Sequence, residues 1–167
     1  MKLTHIVLTG AAMLFAVASH ANTTNIGVIS SAQTYSSGSA TFAAGTPVND
    51  LWTFDLSGGA YDAEIKLTQV FLAPANAISG FTATLSGGSL GSPVGIPLTT
   101  NTSHSQVLDL LQTLGAGSYQ VAVSGLANVP AGSYTFQLGA SPVPEPGAYL
   151  MLMSGVAVLT AFRARRR

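Results

Sequence analysis

Two stretches near the C-terminal end of the chain, LGAGSYQVAVSG (residues 114–125) and VPAGSYTFQLGA (residues 129–140), share the tetrapeptide Ala-Gly-Ser-Tyr. In each copy the glycine permits a turn, and the tyrosine opens a segment in which apolar residues alternate with other residues. An alternation with a period of two is typical of a β-strand that has one buried face. Fifteen residues separate the copies, which is enough for one strand and one turn. We therefore expect two antiparallel neighbouring strands.

The same alternation is present upstream of the repeat. Residues 48–56 predict a strand in which Val48, Asp50 and Trp52 share one face. In DAEIKLTQVFLAP (residues 62–74) the apolar residues change face near Gln69, which predicts a β-bulge or a bend. SQVLDLLQTLG (residues 105–115) fits a helix or a strand ending near Leu111, and we favour the strand. Residues 87–97 predict a loop.

The part of the chain between its termini is rich in Gly, Ser, Thr, Ala and Asn, and turn residues separate the predicted strands. This composition is typical of all-β proteins built from short strands. We predict an all-β fold, a β-sandwich of about seven to nine strands, with a helix at each end of the chain. The predicted segments are a signal peptide at residues 1–21, a sandwich domain at residues 22–141 and a separate C-terminal segment at residues 142–167.

The N-terminus has the layout of a secretory signal peptide. A short polar start precedes an apolar run, and Ser19-His20-Ala21 places small residues three and one before a cut after Ala21. The run is too short to span a bilayer comfortably. The chain contains no cysteine, so an exported domain must be held together by core burial or by partners.

Charge is divided between the ends and the middle of the chain. Five of the six basic residues lie in the two terminal segments, whereas all six acids lie between residues 22 and 146. Residues 22–146 contain Lys66 and all six acids, a net charge of −5. Because binding to nucleic acid needs clustered Lys and Arg, we expect no nucleic-acid partner.

Residues that could carry chemistry are few. Carboxylates on neighbouring loops and strand ends suit Ca²⁺, but no EF-hand loop or nonapeptide repeat accompanies the acids here. The candidate Ca²⁺ ligands are Asp50, Asp55, Asp62 and Glu64. The alternative is that Asp50 accepts backbone hydrogen bonds where its strand begins, while the other acids are solvated. His104 stands alone in the middle of the chain without a Gly-x-Ser-x-Gly motif, so we expect no enzyme, no cofactor and no metal.

The chain ends in SPVPEPGAYLMLMSGVAVLTAFRARRR (residues 141–167), in which residues 148–162 carry no charge. As a helix, these fifteen residues would reach about 22 Å, against a hydrocarbon core of about 30 Å. Snorkelling arginines and local thinning of the bilayer can close such a gap. We expect a transmembrane helix here. The basic residues that would hold the C-terminus in the cytoplasm are Arg163, Arg165, Arg166 and Arg167.

Val143-Pro144-Glu145-Pro146, followed by an apolar stretch and an arginine cluster, resembles the PEP-CTERM sorting signal of Gram-negative bacteria. The resemblance implies export through the Sec translocon, cleavage by signal peptidase, a transient stay in the inner membrane and removal of the tail by an exosortase. It implies that Pro144, Glu145 and Pro146 are the recognition element and that the arginines are the retention element. Such proteins are released or attached at the cell surface, and the system is associated with exopolysaccharide and biofilm.

Val48-Asn49-Asp50-Leu51-Trp52 is similar to the Phe-x-Asp-x-Phe motif of a PEP-CTERM subfamily, with Val48 and Trp52 in place of the phenylalanines. ISGFTATLSGG (residues 78–88) and LGAGSYQVAVSG resemble the later strands of that subfamily. The pattern also resembles the small β-sandwich appended to secreted peptidases. These resemblances imply a jelly-roll-like sandwich without catalytic residues.

Together these observations predict an exported, non-enzymatic protein of the cell surface or extracellular matrix, which an exosortase processes. Two other functions remain open. The sandwich could be a glycan- or Ca²⁺-binding surface module, in which Trp52 and the tyrosines stack on sugar rings. Alternatively, the C-terminal segment could anchor the protein permanently in the inner membrane.

Overall fold

The computed structural model describes residues 21–128, 132–144 and 146–165. The predicted N-terminal signal helix falls on residues 1–20, which lie outside the described residues. Within the described ranges, the chain forms ten β-strands, one α-helix and a short 3₁₀ turn at Pro74–Asn76. The strands are β1 (Thr23–Ile29), β2 (Gln33–Gly38), β3 (Pro47–Leu56), β4 (Tyr61–Val70), β5 (Ile78–Gly87), β6 (Val94–Ile96), β7 (Leu98–Asn101), β8 (Ser105–Leu114), β9 (Gly117–Ala127) and β10 (Thr135–Pro142), and the helix is α1 (Pro146–Arg165).

The strands form two five-stranded sheets. Sheet I has the order β1-β3-β9-β5-β6, and sheet II has the order β2-β10-β4-β8-β7. Strands β1 and β3 are parallel, and the other pairs are antiparallel. One continuous cluster of buried residues, drawn from both sheets, fills the interior. The predicted all-β sandwich is therefore confirmed.

The period-two pattern predicted the inward-facing residues of most long strands. Val48, Asp50 and Trp52 of β3 are buried, and in β4 the odd-numbered residues from Tyr61 to Gln69 are buried. Residues 105–114 form strand β8, as favoured over a helix, although β8 extends to Leu114. The predicted loop at residues 87–97 contains the short strand β6, which is one reason why the ten strands exceed the expected number.

The prediction that the two Ala-Gly-Ser-Tyr strands are neighbours is wrong. β9 lies between β3 and β5 in sheet I, whereas β10 lies between β2 and β4 in sheet II. In both strands the apolar side chains face the interior. Tyr119, Tyr134 and the alternate residues after each of them are buried. Two strands facing each other across a sandwich have the same alternation as two paired strands. The pattern alone therefore could not assign β9 and β10 to separate sheets.

Two tyrosines close the turns that precede their own strands. The Tyr61 hydroxyl donates to the Ser57 carbonyl at 2.8 Å, and the Tyr119 hydroxyl donates to the Gly115 carbonyl at 2.8 Å. A hydroxyl that bonds to the backbone a few residues upstream is a recurrent corner in β-sandwiches. The turn after β5 also depends on the ring of Tyr119, since a Cβ atom at Gly88 would overlap that ring and Gly88 has a φ of 52°. Gly88 thus allows the tyrosine to pack closely against the chain.

The predicted bulge near Gln69 is absent from β4, whose register with β8 and β10 is continuous. The apparent change of face arises because a polar residue occupies a core position. Gln69 is only 2% exposed, whereas Val70 is 76% exposed. The Gln69 side chain pairs with the backbone of Ile78, accepting from its N–H at 2.8 Å and donating to its C=O at 3.2 Å. Gln69 therefore ties the first residue of β5, in sheet I, to β4 in sheet II.

We expect Gln69→Met to lower the free energy of unfolding by about 1–3 kcal/mol. Methionine keeps the volume but leaves the buried N–H and C=O of Ile78 without their side-chain partner. Denaturant unfolding of the purified protein measures the effect. Gln137→Met on the exposed face of β10 is the matched control and should change stability by less than about 0.5 kcal/mol. Equal effects of the two substitutions would show that the Gln69 bridge does not stabilise the fold.

Candidate functional site

The most connected polar group in the sandwich interior consists of Asp50, Trp52 and Tyr134, which we call the buried triad. Asp50 and Trp52 lie two residues apart on β3 of sheet I, and Tyr134 precedes β10 of sheet II. The Tyr134 hydroxyl donates to Asp50 Oδ2 at 2.7 Å and accepts from Trp52 Nε1 at 2.8 Å. All three residues are at most 3% exposed. The hydroxyl therefore joins the two sheets at one point.

Aromatic rings surround the triad. Trp52 stacks on Phe136, with ring centroids 4.6 Å apart and planes 7° apart, and Tyr35 meets Trp52 edge-on. Phe81 packs against Tyr134 at a centroid distance of 5.5 Å. Aromatic pairs in such geometries contribute about 0.5–1.5 kcal/mol each beyond the area that they bury. The apolar shell excludes water from the triad and makes its hydrogen bonds harder to replace.

Burial fixes the protonation of Tyr134. Desolvation raises the pKa of its hydroxyl well above the ordinary value, and the hydrogen bond to the Asp50 carboxylate raises this pKa further, although the bond from Trp52 acts in the opposite direction. The phenol therefore keeps its proton and donates it to Asp50. A hydroxyl with this role holds two elements together.

The structure disperses the four predicted Ca²⁺ ligands. Asp50 lies in the interior, Asp55 is half-buried at the far end of β3, and Asp62 and Glu64 are exposed on the outer face of sheet II. Among the described residues, no three His, Cys, Asp or Glu side chains lie close enough to hold a metal ion. Asp50, for which the alternative prediction was a role as backbone acceptor at the start of its strand, accepts a hydrogen bond from the Tyr134 hydroxyl.

Lys66 lies among acids on the outer face of sheet II. Its Nζ is 3.1 Å from Glu64 Oε1 and 3.2 Å from Asp109 Oδ2. Hydrogen bonds to Glu64 and then to Asp109 raise the pKa of the Lys66 ammonium, so it stays charged until strongly alkaline pH. His104 is exposed in the turn before β8, where its Nδ1 lies 2.7 Å from the Ser103 hydroxyl. These groups form solvated contacts at the surface.

An open groove of about 450 Å³ lies on the outer face of sheet II. Its depth arises at Gly139, which has no side chain and lies in register between Thr34 of β2 and Glu64 of β4. The groove is lined by Ala32, Gln33, Thr34, Asp62, Glu64, Leu111, Gly139, Ala140 and Ser141. Thr113 donates to Asp62 at 2.6 Å and so satisfies part of that carboxylate.

The predicted recognition element begins where the sandwich ends. β10 pairs with β4 as far as Pro142 opposite Tyr61, and the Val143 N–H then donates to the Ala60 carbonyl at 2.9 Å. Pro144 follows and is exposed. Glu145 lies outside the described residues, and Pro146 begins α1. The motif therefore starts directly after the last backbone contact of the sandwich.

Helix α1 contains most of the C-terminal segment. Its described large apolar side chains are all more than half exposed, namely Leu150, Met151, Leu152, Met153 and Val156. Of the predicted retention residues, Arg163 and Arg165 lie in α1, whereas Arg166 and Arg167 lie outside the described residues.

The predicted transmembrane helix at residues 148–162 requires correction. Across the described parts of the chain, no helix combines the length and the apolar character that a membrane span needs. Helix α1 begins with Pro146 and Gly147 and has Arg163 and Arg165 near its end, so the apolar stretch between them, residues 148–162, has fifteen residues.

Sequence reasoning found Asp50 and Trp52 but missed the residue that connects them. Tyr134 lies 84 residues beyond Asp50 and was expected only to open a strand. The Ala-Gly-Ser-Tyr repeat was the available signal, since it placed an inward-facing tyrosine at the start of β10. It could not show that Tyr134 reaches Asp50 while Tyr119 bonds within its own turn.

We expect Tyr134→Phe to lower the free energy of unfolding by about 2–4 kcal/mol, because it removes the shared partner of a buried carboxylate and a buried indole N–H. Tyr35→Phe is the control, since Tyr35 is only partly buried and lies outside the triad. It should change stability by less than about 0.5 kcal/mol. Denaturant unfolding of both variants measures the difference, and a mild effect of Tyr134→Phe would refute the link between the sheets.

The dependence of the free energy of unfolding on alkaline pH provides a second test of the role of Tyr134. The folded pKa of Tyr134 lies above its unfolded value of 10.0, so its contribution is fully present below about pH 10 and is lost as the pH rises further. The free energy of unfolding should fall more steeply between about pH 9 and pH 11.5 in the wild-type protein than in Tyr134→Phe. Identical slopes in the two proteins would exclude Tyr134 as the titrating group.

Comparisons with known proteins concern the two parts of the chain separately. For the sandwich, the pre-peptidase C-terminal domain of a Bacillus anthracis collagenase is 17% identical, and the match covers 72% of this chain and 95% of that domain with a TM-score of 0.39. A tryptic core variant of Cry1Da from Bacillus thuringiensis is 10% identical, with 71% and 25% coverage and a TM-score of 0.35. No curated protein matches the chain.

The C-terminal segment gives a definite result. Residues 142–167 match the family model described as the PEP-CTERM protein-sorting motif. These are the same residues that the sequence pattern set apart from the sandwich. The chain therefore carries a PEP-CTERM sorting signal, which indicates an exported protein that is processed by an exosortase.

Proposed function

We propose that this chain is a non-enzymatic structural protein of the cell surface or extracellular matrix, associated with exopolysaccharide in a biofilm. Its domain would be the sandwich at residues 22–141, freed from a signal peptide after Ala21 and from the sorting segment at residues 142–167. The observation that carries the proposal is the position of the Pro-Glu-Pro element within the matched residues 142–167, because this element begins at Pro144, directly after the Val143 N–H contacts the sandwich.

The end of β10 explains why processing can spare the sandwich. Both sides of this strand are paired, with β2 on one side and β4 on the other, and the Val143 N–H extends the contact by one residue. A cut beyond Val143 removes no strand and exposes no part of the core. Pro144, Glu145 and Pro146 would serve as the element that the exosortase recognises, and Arg163, Arg165, Arg166 and Arg167 as the basic end of the signal.

The buried triad supports a structural role for the sandwich and its place in the Phe-x-Asp-x-Phe subfamily. Val48, Asp50 and Trp52, which stand at the three motif positions, are buried on one face of β3. The motif would then encode a link between the sheets, through the bonds of Asp50 and Trp52 to Tyr134. A jelly-roll-like sandwich with this function needs no catalytic group.

We expect native protein recovered from the medium or the outer surface to have a mass matching residues 22 to about 145, with or without added sugar. Replacement of Pro144, Glu145 and Pro146 by alanines should prevent processing, so that the mass includes Arg167. Ser141→Ala, just upstream in β10, is the control and should be processed normally. Intact-mass spectrometry of the three proteins distinguishes these outcomes.

Wild-type protein that keeps its C-terminal segment in every fraction would refute the proposed function. Normal processing of the triple-alanine variant would refute the assignment of the recognition element. Deletion of the exosortase from the host should give the same uncut mass as the triple-alanine variant.

A further inference from the structure

Each sheet of the sandwich has two edge strands, and three of these four edges are irregular or short. The register of β1 shifts between Asn25 and Gly27, and that of β7 shifts between Leu98 and Thr100. β6 has three residues and is flanked by Pro93 and Pro97. Bulges, short strands and prolines are the features by which proteins prevent edge strands from pairing with other chains.

The fourth edge strand, β2, has none of these features. It pairs with β10 in continuous register over all six of its residues, QTYSSG, which include no proline and no charge. In the described residues, no strand pairs with the other side of β2. A regular, uncharged edge of this kind can accept a further strand.

The hydrogen bonds to β10 define which backbone groups of β2 face outward. The Ser39 N–H donates to the Tyr134 carbonyl at 2.7 Å. Bonded and non-bonded pairs alternate along an antiparallel ladder, so Ser37, Tyr35 and Gln33 direct their backbone groups toward β10. Residues 34, 36 and 38 consequently direct their N–H and C=O groups outward. The Gly38 carbonyl also accepts a 3.3 Å bond from the Ser37 hydroxyl, and its second lone pair remains available.

We propose that the β2 edge binds the β2 edge of a second copy of this chain, antiparallel and centred on Ser36. In this register Ser36 lies opposite its own copy, Thr34 opposite Gly38 and Tyr35 opposite Ser37. On the outer face Thr34 thus lies beside Gly38 of the partner, and on the inner face Tyr35 lies beside Ser37 of the partner. In both pairs a larger residue meets a smaller one. The strand is self-complementary, and the two copies of sheet II become one continuous sheet.

The distribution of charge favours a second copy as the occupant. Residues 22–146 have a net charge of −5, so two copies repel each other unless they meet along uncharged surface. Residues 21–49, which include β2, contain no Asp, Glu, Lys, Arg or His. The nearest acids on sheet II, Asp62 and Glu64, lie on β4, two strands from the edge. In the dimer the two β4 strands are five strand spacings apart, about 24 Å, which exceeds the screening length of about 8 Å in physiological salt.

The partly buried Tyr35 provides a second reason for the contact. Its ring packs on the core and meets Trp52 at a centroid distance of 6.3 Å, yet it lies on the outermost strand. A strand added beside β2 covers the open side of this ring. The pairing does not depend on the C-terminal segment or on its processing, so its failure would leave the proposed function standing.

A single-cysteine variant tests the register directly, because the natural chain contains no cysteine. Paired residues with bonded backbones lie about 5.5 Å apart between Cα atoms, within the range of about 4.4–6.8 Å that a disulfide needs. The Ser36→Cys protein, recovered after export and treated with a mild oxidant, should therefore run mostly as a covalent dimer on a non-reducing gel. Gln137→Cys is the matched control. Gln137 is also exposed and pairs with Ser36 within the chain, but in the dimer its two copies are about 14 Å apart.

Dimers of Ser36→Cys with monomers of Gln137→Cys support the proposal. Monomers of both variants overturn it. Equal crosslinking of both variants also overturns it, since this would show random collision.

A second variant tests the outward N–H of Ser36. Ser36→Pro removes this donor without removing a bond to β10, because the ladder of β2 uses its odd-numbered residues. In sedimentation velocity the wild-type protein should be a dimer and Ser36→Pro a monomer with an unchanged circular dichroism spectrum. A monomeric wild-type protein, or a dimeric proline variant, would contradict the proposed pairing.

Discussion

The hydrogen bond between Tyr134 and Asp50 is the constraint on which the rest of the sandwich depends. It puts a carboxylate into the layer between two sheets, where a charge is tolerated only if partners surround it. Tyr134 donates to this carboxylate, Trp52 in turn donates to Tyr134, and the rings of Phe136, Tyr35 and Phe81 pack around them. β3 and the start of β10 must therefore face each other in one register. In a protein without disulfides, this specificity complements the non-directional attraction of the apolar core.

The second buried polar bridge follows the same logic at another point of the interior. Gln69 is a core residue of sheet II, and it satisfies both backbone groups of Ile78 in sheet I. Each bridge uses a side chain that has both a donor and an acceptor. Tyr134 therefore bonds to both Asp50 and Trp52, and Gln69 bonds to both backbone groups of Ile78. The two bridges restrict how the sheets can slide over each other, which apolar contacts alone do only weakly.

The sequence predicted those features that depend on local pattern. Alternation identified the inward faces of β3, β4, β9 and β10, and the Pro-Glu-Pro, apolar and arginine order identified the sorting motif. The prediction failed at Gln69, a polar residue in a core position, because the alternation of apolar residues appeared to change face there. It also failed for the pairing of the repeat strands, since facing and neighbouring strands show the same pattern. The role of Tyr134 depends on an 84-residue separation, which no local rule can bridge. At the C-terminus, composition suggested a span that α1 does not provide.

The sequence separation within the buried triad has a consequence for the order in which the chain folds. Contacts between distant residues form late, because the loop between them must close first. Tyr134 lies only a few residues before the end of the last strand. An exported chain crosses the membrane with its N-terminus first, so Tyr134 is among the last residues of the sandwich to emerge. The link between the sheets can therefore close only when almost the whole sandwich has crossed. By then the next residues to emerge are Pro142 and the sorting motif, so completion of the fold and delivery of the signal occur together in time.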